Sequence, residues 1–232
     1  TGFKSGSLNS LPLQKSDALS SSKSETAMNY ELGYKFSIPQ YDVQTAFSVF
    51  YNDYQDLQIV SGFDSTLNAA EAISKGTELQ VEWNPFNTWK LNIGYHYLDA
   101  SFRNWLKPSG EDFSGNRLAR APEESINLIS YWVHSFSNYH LSWNLLASHE
   151  SGMYFDDGNI ESIRASNKTR VNSAVTLYSA QSDWEVSIWG KNLLDETYRV
   201  FGQLLSAQFN SDSDVHIQAP GRTIGLEFVV FL

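Results

Sequence analysis

The sequence has no cysteine, no long apolar run and no excess of basic residues. The lack of cysteine leaves no disulfides, which is compatible with an exported protein. A transmembrane helix needs about 18 consecutive apolar residues, and no run in this sequence approaches that length. The formal net charge of -10 argues against nucleic acid as a partner, because nucleic-acid binding needs a basic patch.

The first residues also lack a signal peptide. Residues 1–4 (TGFK) offer neither a charged leading segment nor an apolar core. An exported protein that lacks this signal is either a mature form or a fragment. Because the first residues read as the end of a strand, we expect a fragment.

The sequence is instead rich in aromatic residues that alternate with polar ones. Aromatic side chains make up 14% of the chain, although the mean hydropathy is only -0.35. Near the end of the chain, one face is wholly apolar and consists of Ile224, Leu226, Phe228, Val230 and Leu232. A period of two with one apolar face is typical of a strand with one side in lipid.

The same alternation recurs along the whole chain. It is present in nine segments, at residues 25–37, 41–60, 77–84, 89–97, 125–133, 139–145, 171–177, 184–198 and 223–232. Segment 125–133 is the least clear of them, because it has apolar residues on both faces. With a short strand at Thr1, these segments predict about ten strands. Several of them reach ten residues or more, whereas strands in soluble sheets average about 5–6 residues.

The connections between these segments alternate in length. Short turns are predicted near residues 38–40, 85–87, 135–138 and 180–183, and long loops near 4–23, 61–74, 103–121, 152–168 and 199–219. Aromatic residues flank the short turns, for example Trp83 and Trp89. Short periplasmic turns, long extracellular loops and an aromatic girdle are typical of outer-membrane barrels.

A soluble sandwich or a lipocalin-like barrel would also show alternation. In such a protein the apolar face would point inward, and alternation alone cannot separate the two cases. The loop asymmetry and the position of the aromatic residues favour the membrane barrel.

Several motifs resemble the signatures of TonB-dependent outer-membrane receptors. The penultimate predicted strand ends in WGKNLLDETY, similar to the family's kNLxDxxY pattern, and APGR before the last strand is similar to its PGR ending. Three further blocks match in order and spacing: TGFK with Glu25 and YELG (residues 30–33), FYNDYQD (residues 50–56) and SKGTEL (residues 74–79). The resemblance covers essentially the whole chain.

This resemblance implies an all-β fold, a transmembrane antiparallel up-and-down β-barrel of 22 strands with a plugged lumen. Residues 1–232 would form the C-terminal part, about the last ten strands, and the N-terminal plug with its TonB box would be absent from this chain. The implied location is the bacterial outer membrane. The implied partners are a ferric siderophore or similar chelate, the TonB complex through the missing N-terminal region, and outer-membrane lipid and lipopolysaccharide.

Candidate ligand-binding residues come from the chemistry of the predicted loops. The first loop is more cationic than acidic and holds Arg103, Trp105, Arg117 and Arg120, and the next offers Tyr154 and Arg164. Arginine and aromatic side chains at a barrel mouth suit an anionic, aromatic chelate through charge and cation–π contacts. A solvated loop or lipopolysaccharide contact would explain the same residues.

Other polar clusters have simpler interpretations. Asp156 to Asn159 (DDGN) and Asp212 to Asp214 (DSD) carry oxygen ligands of the kind that calcium prefers, but polar turn chemistry explains them better. The five histidines lack metal-ligand spacing, so we predict no metal site. Eight charged residues should line the lumen: Glu31, Lys35, Glu78, Glu82, Lys90, Glu185, Lys191 and Glu227.

The sequence therefore predicts an energy-coupled uptake receptor, most naturally for a ferric siderophore. The alternatives are a passive porin or a receptor for haem, cobalamin or a carbohydrate. A barrel enzyme would need a nucleophile or paired carboxylates at a rim, and no such motif is recognisable, so we expect no enzymatic activity and no cofactor.

Overall fold

The computed structural model describes residues 1–6, 21–61, 65–107, 109–179, 183–205 and 213–231. The strands are β1 (Gly2–Lys4), β2 (Glu25–Ile38), β3 (Val43–Ser61), β4 (Ser65–Phe86), β5 (Trp89–Asn104), β6 (Glu124–Phe136), β7 (Tyr139–Glu150), β8 (Lys168–Ser179), β9 (Trp184–Lys191), β10 (Arg199–Leu204), β11 (Asp214–Gln218) and β12 (Thr223–Val230). Two single-turn 3-10 helices lie at Pro39–Tyr41 and Glu161–Ile163. None of the described helices is long and apolar enough to cross a membrane.

The main sheet follows chain order. Among the described residues it has ten antiparallel strands, β1 to β9 in sequence and then β12, so each strand up to β9 pairs with its sequence neighbours. The exception is the step from β9 to β12, where β10 and β11 form a separate two-stranded sheet. The predicted up-and-down arrangement of about ten strands, including the short first one, is confirmed.

The strand register separates two faces. Ile188 lies opposite both Val175 and Leu226, while the next position on β9, Ser187, lies opposite Thr176 and Glu227. The Thr176 and Ser187 hydroxyls are 2.7 Å apart and hydrogen-bonded. We call the face with Leu226 the apolar face and the opposite one the polar face. All eight charged residues predicted to line a lumen share the polar face by register.

The apolar face is exposed rather than packed against a protein core. Leu226 is 73% exposed and Phe228 64% exposed, and many apolar side chains of the other strands are similarly open. Exposed apolar surface on this scale marks an interaction surface. The described buried core is correspondingly small and includes Ala72, Phe102 and Trp105.

Aromatic rings collect at both ends of this apolar band. Near the short turns, ring centroids lie 6.4 Å apart for Phe86 and Trp89 and 6.1 Å apart for Tyr139 and Trp184. At the other end, the Tyr30 and Tyr51 centroids are 6.5 Å apart. By register these tyrosines lie level with Asp99 of β5, ten residues of strand beyond Trp89, which is about 33 Å, or about 25 Å along the membrane normal at a tilt of about 40°. This height is close to the apolar band of about 25 Å in outer-membrane barrels.

The loop predicted at residues 61–74 is wrong for most of its length. Strand β4 begins at Ser65, so residues 65–74, where serine, asparagine and alanine are frequent, form a strand instead of the predicted loop. Strand β3 continues upward and supplies a ladder partner from Leu57, opposite Ala70, to Ser61, opposite Ser65, with bulges at Leu57. Backbone hydrogen bonds to β3 therefore extend the strand where the side-chain pattern is weak.

Other boundaries also differ from the prediction. Strand β5 runs to Asn104, so Arg103 belongs to a strand, and β9 ends at Lys191 instead of continuing to Tyr198. The loop predicted at residues 199–219 contains the β10–β11 hairpin, which pairs from Arg199 opposite Gln218 to Leu204 opposite Asp214. Asp212, Leu232, most of the 4–23 loop and the turn residues 180–182 lie outside the described residues.

Candidate functional site

Two long loops at the end of the sheet opposite the short turns are joined by hydrogen bonds. We call residues 105–123 loop A and residues 151–167 loop B. Asn159 of loop B accepts a hydrogen bond from the Arg117 amide at 2.7 Å and donates one to the Arg117 carbonyl at 2.9 Å. Asn116 adds a bond to the Asp157 carbonyl at 2.8 Å. Paired side-chain-to-backbone bonds of this kind hold the two loops as one layer.

The bases of the two loops are joined as well. The Arg120 amide donates to the Tyr154 carbonyl at 2.8 Å, and the amides of Glu123 and Glu124 both donate to Ser151 Oγ, at 2.8 and 3.0 Å. Arg120 has a left-handed φ of 59°, so the chain turns sharply there and the exposed side chain projects from the layer.

Four of the six predicted ligand residues meet in this layer. The Arg164 guanidinium lies 5.1 Å from the centroid of the Tyr154 ring, and Arg120 is bonded to the Tyr154 backbone. Arg117 Nη1 donates to Glu123 Oε2 at 2.6 Å. Arg164 and Arg117 thus lie near the Tyr154 ring, and Arg120 is held beside Tyr154 through its backbone. We call Arg117, Arg120, Tyr154 and Arg164 the cationic cluster.

The phenol of this cluster is itself hydrogen-bonded. Tyr154 Oη donates to Glu161 Oε1 at 2.7 Å, and this bond, with burial, raises the pKa of the Tyr154 hydroxyl. The charges of Arg164 and Arg117 act in the opposite direction, which places both guanidinium groups within electrostatic reach of the ring. Tyr154 therefore stays a neutral donor and a cation–π surface at physiological pH.

Trp105 is a core residue in this structure. Only 1% of its surface is exposed, and it packs with Ala72 and Phe102, whose ring centroid lies 5.2 Å from that of Trp105. The indole N–H is buried without a hydrogen-bond partner among the described residues. Its contacts support the base of loop A rather than an open ligand surface.

Arg103 lies outside the cationic cluster. Its guanidinium donates to the Tyr51 hydroxyl at 2.9 Å and to Asp53 Oδ2 at 3.2 Å. Tyr51 lies opposite Tyr30 and Lys75, so Arg103 is bonded at the Tyr30–Tyr51 end of the apolar face. The predicted loop at residues 103–121 gave Arg103 no defined orientation. In the structure Arg103 belongs to β5, and its place in the strand puts it on the apolar face.

A cleft next to the cationic cluster was missed by sequence reasoning. It encloses about 660 Å3 and is lined by Arg164 together with Asn167, Tyr198, Arg199 and other polar residues. Arg199 Nη1 donates to the carbonyls of Ser162 and Arg164, at 2.8 and 3.2 Å. The sequence contains one indication of this cleft, which is Arg199 directly after the NLLDETY segment.

The β10–β11 hairpin packs on loop B. A side chain at Gly202 would bring its Cβ within 2.6 Å of the Ile163 carbonyl and 2.9 Å of the Phe155 ring, so only glycine permits this approach. Phe155 and Ile163 are buried in this contact. The hairpin, loop B and the 192–198 segment thus form the walls of the cleft.

The acidic turn at residues 156–159 is held by local hydrogen bonds. Asp156 Oδ1 accepts the Ile160 amide at 3.0 Å, as in a polar turn. Over the ranges that the structure describes, no three His, Asp or Glu side chains are grouped to hold a metal ion. Four of the described histidines stack on aromatic rings or bond to hydroxyl groups locally, for example His96 on Phe50 and His149 to Thr169.

We expect Asp157 to give the contact between the two loops a pH dependence. Burial, reinforced by the neighbouring charge of Asp156, raises the pKa of the Asp157 carboxyl, while Lys107 opposes the shift. A carboxyl group whose pKa is raised on folding stabilises the folded protein at pH values below the ordinary carboxyl pKa. This stabilisation is lost as the pH rises through the folded-state pKa. We therefore expect hydrogen exchange at the Arg117 amide, which bonds to Asn159 across the two loops, to become faster as the pH rises through the folded-state pKa of Asp157. This increase should exceed the intrinsic pH dependence of exchange.

Asp157→Asn should remove this dependence, as measured by hydrogen exchange at the Arg117 amide corrected for intrinsic rates. Asp112→Asn is the matched control, because hydrogen bonds from Ser114 lower the pKa of Asp112 and its contribution has the opposite sign. An unchanged pH profile in Asp157→Asn would refute this assignment.

The two faces, the aromatic rings and the long loops at one end define a class of protein. A strand wall with an exposed apolar band, a charged opposite face and loops gathered beyond one aromatic ring is the wall of an outer-membrane β-barrel. The sequence comparisons identify which barrel family this is.

A family model described as TonB dependent receptor-like, beta-barrel, matches residues 1–193, and the chain belongs to this family. It is accordingly a bacterial outer-membrane protein. The pesticin receptors of Yersinia pestis and Yersinia enterocolitica are each 27% identical over 232 residues, covering 97% of this chain and 32% of theirs. The chain therefore spans about a third of the length of these relatives.

Solved structures show the same fold. The ferric yersiniabactin uptake receptor FyuA from Yersinia pestis matches with a TM-score of 0.81 at 24% identity, over 98% of this chain and 33% of that one. BauA, the ferric preacinetobactin receptor from Acinetobacter baumannii, matches with a TM-score of 0.67 at 17% identity, over 98% of this chain and 32% of that one. Both of these proteins are named as receptors.

Proposed function

We propose that the protein is an outer-membrane active-transport receptor that binds a ferric siderophore and takes it up with energy delivered through TonB. The observation that carries this proposal is the cationic cluster beside the cleft, built on a wall of the TonB-dependent receptor family. Three arginines and a tyrosine provide positive charge, bidentate donors and an aromatic face. This combination suits an anionic chelate with aromatic groups.

The same proposal covers the rest of the receptor. Residues 1–232 supply about the last ten strands of a 22-strand barrel, and the plug and the TonB contact belong to the part of the receptor that precedes these strands. The charged residues on the polar face then line the lumen around that plug.

We also propose lipid and lipopolysaccharide contacts for the apolar face. Lys75 pairs with Asp99 at 3.2 Å at the level of Tyr51, and Arg103 pairs with Asp53 at 3.2 Å just beyond it. A charged row beside aromatic residues at the end of an apolar band suits the headgroup region of the outer leaflet.

Competition binding with the full-length receptor tests the function. A panel of ferric siderophores of the catecholate, hydroxamate and carboxylate classes should include a binder, and haem, cobalamin and an oligosaccharide test the other receptor functions. A receptor that bound none of them and conducted ions through an open lumen would be a porin, and the proposal would be wrong.

Replacing Arg117 and Arg120 together with Ala should weaken binding of an anionic chelate about tenfold, since each charge-assisted hydrogen bond contributes on the order of 1 kcal/mol or more. Equilibrium titration of the full-length receptor with the labelled chelate measures this change.

Glu123→Gln is the matched control for that double variant. It frees Arg117 from its ion pair without removing a cation, so affinity should be kept or rise. If the double variant bound as tightly as the wild type, the cationic cluster would have no role in binding.

A further inference from the structure

The polar face carries a second group of cations, which lies next to the cleft. Glu150, the last residue of β7, lies opposite Lys168, the first residue of β8. Its two carboxylate oxygens are divided between two partners, Lys168 Nζ at 2.8 Å and Arg170 Nη2 at 3.1 Å. One carboxylate thus holds two cations side by side on the face that lines the lumen of a closed barrel.

This arrangement leaves hydrogen-bond donors unused. Arg170 Nε and Ser148 Oγ are both buried without a hydrogen-bond partner in the part of the chain that the structure describes. Ser148 lies directly opposite Arg170 in the register, so the two unsatisfied groups are neighbours on one face. A buried donor without an acceptor is unfavourable, and a small rotation of Arg170 toward an incoming oxygen would relieve it.

The Arg170 side chain can be reached from the polar face. It is 39% exposed, whereas Lys168 is 14% exposed and Glu150 23% exposed. Glu150 therefore holds both cations, and Arg170 is the more exposed of the two. Arginine presents a planar fork of donors that matches an oxyanion in two bonds.

The group also adjoins the cleft. Lys168 Nζ lies 5.8 Å from the centroid of the Tyr198 ring, and Tyr198 lines the cleft beside Arg164 and Arg199. Glu196 is the other nearby carboxylate, but it accepts a hydrogen bond from the Thr169 backbone amide and is engaged there. A molecule leaving the cleft along the polar face would meet Lys168 and Arg170 next.

We propose that Lys168 and Arg170, held by Glu150, form an oxyanion-binding station on the lumen wall below the cleft. It takes the carboxylate or phenolate-type oxygens of an anionic chelate after the chelate has left the loops. The transport role rests on the proposed function, whereas oxyanion binding is a property of these side chains and can be measured separately.

Inorganic phosphate is the probe for this station. Titration of the purified full-length receptor in detergent micelles, followed by 31P NMR line broadening, should show saturable binding by the wild type. Arg170→Gln and Lys168→Gln should each weaken this binding at least tenfold. Arg170→Lys keeps the charge but loses the planar fork, and we expect an intermediate loss.

Lys90→Gln is the matched control, because Lys90 is a cation on the same face at the short-turn end of β5, and its replacement should leave phosphate binding unchanged. The shift in electrophoretic mobility on boiling shows whether each variant is folded. If the wild type did not bind phosphate, or if Lys90→Gln lost as much affinity as Arg170→Gln, the station would be rejected. Either result is independent of whether any siderophore binds the receptor.

Discussion

Replacing Ile188 with Arg should destabilise the receptor in a bilayer by about 2–4 kcal/mol, the cost measured for a cation near the midplane on the lipid face of a barrel. Ile188 lies mid-strand on the apolar face between Val175 and Leu226, and it is 60% exposed. A charged side chain there has no polar neighbour opposite it and contacts only hydrocarbon. Urea unfolding of the full-length receptor in lipid vesicles, followed by tryptophan fluorescence, measures the loss.

Ser187→Arg is the matched control for this prediction. Ser187 is the adjacent residue on the polar face and loses only a partly buried hydroxyl contact with Thr176. Its replacement should cost about 1 kcal/mol or less, because the new charge points into a polar lumen. Equal losses in the two variants would mean that the two faces do not differ in their surroundings, and the assignment of the apolar face to lipid would be wrong.

The strand framework could be predicted because a single rule governs it. Wherever one side chain in two contacts lipid, the sequence must alternate, and segments such as 25–37 and 89–97 do so without interruption. The prediction was wrong where this constraint ends. Above the membrane, the first part of β4 is held by the ladder to β3, so its alanine and serine residues need no pattern.

The loops were less predictable because their side chains obey no period. Trp105 and Arg103 were both chosen as ligand residues for their chemistry, yet one is buried against Phe102 and the other is bonded to Asp53 beside the apolar face. Conversely, the joining of Arg117 and Tyr154 depends on Asn159 and on the Arg120 amide. Contacts between residues 34 to 42 positions apart leave no local signature in the sequence.

The NLLDETY segment illustrates how a motif acquires a physical meaning. Asn192 and Asp195 both have left-handed φ values, 50° and 54°, which asparagine and aspartate tolerate better than most residues. Asp195 accepts the Arg222 amide at 2.8 Å and pairs with the Arg222 side chain. The motif therefore ties the end of β9 to the PGR residues that directly precede β12, which explains why the two patterns occur together.

Asn192→Ala should have the largest local effect of any single substitution considered. The Asn192 side chain is buried and donates to the carbonyls of Glu196 and Pro220, at 3.0 and 3.3 Å, while its oxygen accepts the Glu196 amide at 3.1 Å. Alanine would leave these three backbone groups without their partner and would fit the left-handed backbone poorly. At about 1–3 kcal/mol for each unsatisfied buried group, the local opening free energy should fall by about 3 kcal/mol.

Hydrogen exchange of the Glu196 amide measures this change, and a loss of about 3 kcal/mol corresponds to roughly 100-fold faster exchange. Asn84→Ala serves as the control, since Asn84 also bonds through its amide, to Asp42 at 3.0 Å, but it does so in an exposed pair beside a short turn. That variant should leave exchange at Glu196 unchanged. If Asn192→Ala left it unchanged too, the connection between β9 and β12 would not depend on this side chain, and the two motifs would be joined through Asp195 and Arg222 alone.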